Sequence, residues 1–252
     1  MMRATAGLGV ALAALLLTGG VPIASAQTLA PATGERLVRV QLAPAQFTTL
    51  SAEIAARIER LPYREGQRFG RGEVLVQLDC AMYRARLDRA EAEALEARGT
   101  HEVNERLQGM GSISLLEIGV SAARKAVTEA DVRLMRTMVE RCVIRAPFAG
   151  RVVQQTARAH QYVAEGQTVM EILDDRTLEV EMMLPSQWVR WLAPGLGFEV
   201  RIDEIGASFP ATVDRIGARV DPVSQSVRVF GVIASQDSRL MAGMSGVAVF
   251  EQ

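Results

Sequence analysis

Lysine occurs once in the 252 residues, at Lys125, while histidine and cysteine occur twice each. Each scarcity closes off a class of chemistry. The two histidines, His101 and His160, stand far apart and neither has a partner at ligand spacing, so no metal centre built on imidazole is expected. No glycine-rich phosphate loop, nucleophile elbow or acid pair stands out, and the sequence predicts no enzyme, no catalytic residues and no cofactor. A formal net charge of −1 lacks the basic footprint of a nucleic-acid-binding protein. Beyond the N-terminal leader there is no uncharged apolar run of the about 20 residues that a bilayer span needs.

What is present begins with that leader. Met1-Met2-Arg3, a short apolar stretch over residues 10–17 and Ala24-Ser25-Ala26 follow the order of a secretory signal peptide, with cleavage expected after Ala26. The competing reading is a retained anchor, since residues 4–14 are mostly small or apolar. No cysteine near the cleavage site suggests a lipoprotein. In an oxidising export compartment, Cys80 and Cys142 are candidates for a disulfide, provided that the fold brings them together. Methionine is more plentiful. Met135 and Met138 sit three apart, and Met182, Met183, Met241 and Met244 lie near expected strands. Soft thioethers can hold Cu(I), which leaves a periplasmic metal-binding protein as an alternative, although packing is the commoner role for methionine.

From Cys80 to about Gln108 the chain is rich in Ala, Glu, Arg and Leu, and Tyr83, Leu87, Ala90, Ala94, Ala97, His101 and Asn104 repeat at alternating steps of four and three. That is a heptad seam on a helix. Gly109-Met110-Gly111-Ser112 breaks it as a turn would. A second helix is expected over residues 114–141, its seam formed by Leu116, Val120, Ala123, Val127, Ala130, Leu134 and Thr137. Two arms of nearly equal length joined by a short turn predict an antiparallel helical hairpin.

On both sides of the hairpin the period becomes that of strands, and the two flanks echo each other. Tyr63-x-Glu65-Gly66-Gln67 is matched by Tyr162-x-x-Glu165-Gly166-Gln167, and the strands after them end in Leu78-Asp79 and Leu173-Asp174. Each Glu-Gly-Gln reads as a tight turn whose glycine supplies a positive φ. The pattern suggests one pseudo-symmetric β-domain interrupted by the hairpin. Further strands follow after residue 176, with a short helical turn at Ser186-Gln187-Trp188 for which Ser186 is the expected cap.

A strand, a Glu-Gly-Gln turn, a strand and then "VIRAPFAGRVV" (residues 143–153) resemble the flattened sandwich of lipoyl and biotinyl carrier domains. A carrier lysine needs an exposed β-turn, whereas Lys125 falls inside the second helix, so acylation is not expected. A lipoyl-like domain split by a helical hairpin after a signal peptide resembles the periplasmic adaptor subunits, or membrane fusion proteins, of tripartite efflux pumps. Asp221-Pro222-Val223-Ser224-Gln225-Ser226-Val227 and Leu240-x-x-Gly243-Met244 are similar to landmarks of the adaptor β-barrel. The resemblance implies an α+β, elongated, multi-module fold. Its segments are a signal peptide (1–26), a linker and first barrel strand (27–45), the first half of the lipoyl-like domain (46–79), the antiparallel α-helical hairpin (80–142), the second half of the lipoyl-like β-sandwich (143–175) and a small β-barrel (176–252). The barrel's last expected strand falls just before Gln252, so no further membrane-proximal domain is expected.

The same resemblance implies a periplasmic, non-enzymatic adaptor, attached to the inner membrane through its transporter. Its partners would be an inner-membrane transporter of the resistance-nodulation-division type, an outer-membrane channel protein and further copies of itself in a ring, with no nucleic acid. An adaptor for an ATP-driven exporter is the alternative within the family. In the family an Arg, a Leu and a Ser at the hairpin tip dock on the channel. Leu107 and Ser114 match the Leu and Ser, while the position of the Arg is held by Val103, and Arg106 is the expected substitute one turn on. Cys80 and Cys142 flank the hairpin base, where antiparallel arms in register would place them at disulfide distance.

Overall fold

The computed structural model describes residues 36–234 and 237–251. The expected signal peptide, its cleavage site after Ala26 and the linker before residue 36 lie outside the described residues. In chain order the elements are β1 (Arg36–Pro44), β2 (Phe47–Ser51), β3 (Ala56–Arg60), β4 (Arg68–Phe69), β5 (Val74–Leu78), α1 (Ala81–Gly109), α2 (Leu115–Glu140), β6 (Val143–Arg145), β7 (Gly150–Gln155), β8 (Tyr162–Val163), β9 (Thr168–Leu173), β10 (Leu178–Pro185), β11 (Gly197–Ile202), β12 (Ala207–Asp221), β13 (Ser226–Ile233) and β14 (Ser245–Phe250).

The flanks of the hairpin build two four-stranded sheets, in the orders β2-β9-β7-β4 and β6-β5-β3-β8. Each sheet therefore mixes strands from before and after the hairpin. Their buried faces meet in one core that includes Ile58, Leu75, Val76, Leu78, Val163 and Ile172. The two Glu-Gly-Gln turns are built alike. Gly66 and Gly166 have φ of 78° and 80°, a region open to glycine without strain. The side-chain carbonyls of Gln67 and Gln167 accept from the amides of Arg64 and Ala164, three residues back, at 2.7 and 3.0 Å. Each turn then clips to the opposite half of the domain: the Gly66 amide donates to Val152 O and the Gly166 amide to Ala52 O.

The two Leu-Asp endings also share one job. The carboxylate of Asp79 accepts from the Ala81 amide and that of Asp174 from the Arg176 amide, both two residues ahead. Such turns redirect the chain out of the sandwich, once into α1 and once into β10. The Ala81 amide, then Arg57, hold the Asp79 carboxyl below the usual carboxylate range, and Arg176 does the same for Asp174.

In "APFAG", Gly150 opens β7 opposite Phe69. A Cβ there would collide with the carbonyl oxygen of Leu173, so the motif needs glycine for close strand approach rather than for a positive φ.

Strands β1 and β10 to β14 close a six-stranded antiparallel barrel in the order β1-β10-β13-β12-β11-β14. Along β10, Leu178, Val180, Met182 and Leu184 alternate inward with period two, as a strand buried on one face requires. Trp188 and Trp191 pack against Phe250 beside the barrel core, with the Arg36 guanidinium 4.8 Å from the Trp191 ring centre. Ser186 differs from its expectation: it lies within the short 3-10 helix and makes no side-chain cap, because β10 runs straight into that helix through Pro185. No described helix is long and apolar enough to cross a membrane.

Candidate functional site: the hairpin, its tip and its outer faces

α1 and α2 run antiparallel, and on α1 Tyr83, Leu87, Ala90, Ala94, Ala97, His101 and Asn104, the expected heptad seam, are buried or half-buried, as are Glu93 and Leu107. On α2 the expectation is overturned. The face turned to α1 carries Ile118, Ser121, Lys125, Thr128, Val132, Met135 and Val139, whereas Leu116, Val120, Val127 and Leu134 are 79, 62, 53 and 50% exposed. Both stripes advance by alternating threes and fours, so spacing alone did not distinguish them. At 100° per residue the bare stripe lies nearly opposite the seam. Across from the α1 alanines, Val132 and Met135 pack with Ala90 and Ala94, while Ser121 faces His101.

This seam buries little apolar surface, and other contacts hold the hairpin. Arg98 with Glu129 and Arg136 with Glu91 bridge the arms at 3.1 and 2.7 Å. Exposed pairs of this kind each contribute about 0–1 kcal/mol. At the base, Cys80 and Cys142 are joined in a disulfide with Cα atoms 5.8 Å apart. The Tyr83 hydroxyl donates to Ala55 O, and Arg141 pairs with Glu53 of the sandwich.

The tip is closed by backbone bonds: the amides of Met110 and Ser112 donate to Leu107 O, and that of Gly111 to Gln108 O. Ser114 caps α2, its hydroxyl accepting from the Glu117 amide at 3.2 Å. Glu117 adds a negative charge to the first turn, where the helix dipole favours it. Arg106, Leu107 and Ser114 thus fall within the last turn of α1 and the start of α2. Leu107 is half-buried at the end of the seam, and Arg106 and Ser114 are exposed. The Arg106 Nε donates to Glu102 O, which ties the side chain back along α1. Reading the sequence missed Met110 and Leu115, 68 and 77% exposed, which with Leu116 surround the tip with apolar surface. A signal was available: adjacent leucines after an N-cap cannot both face one seam.

α1 also carries a shallow outer groove lined by Ala92, Leu95, Gly99 and Val103, on the side away from its seam. Of the methionines weighed as soft-metal ligands, Met183 and Met241 are exposed on the barrel and Met135 and Met138 line one small cavity at the hairpin base. Met182 and Met244 are buried in the barrel core, Met135 packs in the hairpin and Met138 against the sandwich. Among the described residues, no three His, Cys, Asp or Glu side chains group as a metal site.

Residues 46–175, which are the two sandwich halves and the hairpin between them, match the family described as "RND MFP, barrel-sandwich hybrid domain". An uncharacterized protein of Haemophilus influenzae is 26% identical over 203 residues, covering 80% of this chain and 53% of its own length, so the chain spans about half of that relative. Among solved structures, a MacA-MexA chimeric protein containing the Pseudomonas aeruginosa MexA α-hairpin domain superposes with a TM-score of 0.76 at 16% identity, over 87% of this chain and 81% of that one. The membrane fusion protein Spr0693 from Streptococcus pneumoniae gives 0.71 at 12% identity, over 86% and 98%. At these identities the two structures share the fold: a helical hairpin set into a barrel-sandwich hybrid and followed by a barrel.

Proposed function

Since the chain belongs to the membrane fusion proteins, the periplasmic adaptors of tripartite efflux pumps, we propose that it links an inner-membrane transporter to an outer-membrane channel for export of small molecules. The observation that carries this reading is the hairpin. It is a pair of helices fastened covalently at its base, with apolar side chains bare at its tip where no part of the described chain covers them. Arg106, Leu107 and Ser114 dock on the channel, with Met110, Leu115 and Leu116 around them. The resistance-nodulation-division wording of the matching family favours that transporter class over an ATP-driven exporter.

The adaptor works without catalysis. Sandwich and barrel seat on the transporter, which supplies the energy, and the leader directs export and is removed after Ala26. Copies associate side by side into a ring, an arrangement supported by the two outer faces of the hairpin. Packing the α2 ridge of Leu116, Val120, Val127 and Leu134 into the α1 groove at Ala92, Leu95, Gly99 and Val103 of a neighbouring copy would bury both bare apolar faces.

The test is affinity capture of the C-terminally tagged protein, expressed from its own locus and crosslinked in cells. Recovery of a multi-span transporter together with an outer-membrane channel is the expected result, and the transporter's identity names the engine. Recovery of neither, from folded protein at native abundance, would overturn the proposal.

A further inference from the structure

Cys80 and Cys142 are 2 and 1% exposed, and they belong to the sandwich core rather than to the hairpin seam, in one cluster with Ile54, Ile58, Leu78 and Ile144. Cys80 follows β5 by one residue and Cys142 directly precedes β6, and these strands pair antiparallel, with Val74 opposite Arg145 and Gln77 opposite Val143. The Leu78 amide extends the ladder by donating to Cys142 O at 2.8 Å. The disulfide thus sits at the end of the ladder that joins the first half of the split domain to the second. Tyr83, Met138 and Val139 of the hairpin base pack against the same core, and the Tyr83–Ala55 bond and the Arg141–Glu53 pair fasten that base to the sandwich.

Thiol–disulfide exchange demands access. A thiolate attacks a sulfur of the donor disulfide and passes through a mixed disulfide, so the donor must touch one cysteine sulfur and the second cysteine must then reach it. Two sulfurs enclosed in the closed sandwich offer no such approach. The chain has two cysteines, so only one intramolecular pairing exists and no reshuffling is called for. What the chain requires is an oxidant.

We propose that the disulfide is made before the sandwich closes, on a chain still open at the hairpin base, by exchange with a disulfide-bearing oxidant of the compartment in which it folds. The two cysteine thiols pass two electrons and two protons to the donor: the Cys80–Cys142 sulfur–sulfur bond forms, the donor's breaks, and the donor leaves as two thiols. Tethering β5 to β6 in this way lowers the closure cost of a sequence separation of 62. Closure of the sandwich then seals the bond against exchange. None of this rests on the adaptor reading.

The test is the rate of exchange in the full chain. Protein reduced in urea and refolded without oxygen is given oxidised glutathione in native buffer or in denaturing urea, and alkylation followed by mass analysis reads the remaining thiols. A short peptide with two cysteines, treated alike, corrects for the effect of urea on the chemistry. Oxidation should be slower in the folded chain than in the unfolded chain by about a hundredfold or more, because it waits on opening of the base. The reverse reaction keeps the test valid should the reduced chain fold poorly: dithiothreitol should reduce the disulfide of the native protein more slowly than that of the urea-unfolded protein, again by about a hundredfold or more. A rate in buffer within about threefold of that in urea, for oxidation or for reduction, would mean that the folded base admits the donor, and would overturn the proposed order while leaving the adaptor reading untouched.

Discussion

At Gly150 strands β7 and β9 come so close that a single methyl group has no room, since its position coincides with the Leu173 carbonyl. Backbone cannot swing aside as a flexible side chain can. Gly150→Ala should therefore destabilise the protein by about 1–3 kcal/mol, the usual cost of overpacking a closed site, as a lowered midpoint in urea unfolding. An unchanged midpoint would mean that β7 and β9 slide apart freely. Much of the residue-scale chemistry was legible in the sequence. Two Glu-Gly-Gln turns and two Leu-Asp endings could be read as repeats because their partners lie within a few residues: Gln67 bonds Arg64, and Asp174 bonds Arg176. The role of Gly150 was not legible. Its reason is a strand more than twenty positions away, and a glycine needed for close approach looks the same in sequence as one needed for a turn.

Among the elements, the hairpin combines good local helix formers with a seam too small and polar to hold two helices strongly. Its stability leans on the base, where the disulfide spans a sequence separation of 62. Constraining a loop of that size is worth about 4 kcal/mol in the chain-entropy model, less any strain. Reduction, or replacement of Cys80 and Cys142 together by alanine, should lower the unfolding free energy by about 2–4 kcal/mol while circular dichroism still shows the helices. A loss below about 0.5 kcal/mol would mean that Tyr83, Arg141 and the seam already fix the base.

The α2 stripe belongs to this scale too. The seam of α1 was readable, because it has one heptad stripe of small side chains. That of α2 was not, because the helix has two, and the more apolar one faces away from α1. Val127→Glu with Leu134→Glu should leave helicity intact and weaken self-association at least tenfold, about 1.4 kcal/mol, in sedimentation analysis. Helix loss in that variant would instead show that the stripe holds the hairpin itself together.

For the whole molecule, the order of modules was legible because each changes the period of the sequence: two for the strands, alternating three and four for the hairpin, two again for the barrel. What occupies the outer surfaces was not, since a bare leucine and a covered one are the same letter. In the adaptor proposed above the tip meets the outer-membrane channel, and site-specific photocrosslinking in living cells tests that contact. A photoreactive residue at position 115, where Leu115 is 77% exposed, should capture an outer-membrane channel protein, while one at position 82, where Met82 is 64% exposed at the hairpin base, should not. Capture of the channel from position 82 and not from 115, or capture at 115 of nothing but a second copy of this chain, would contradict it.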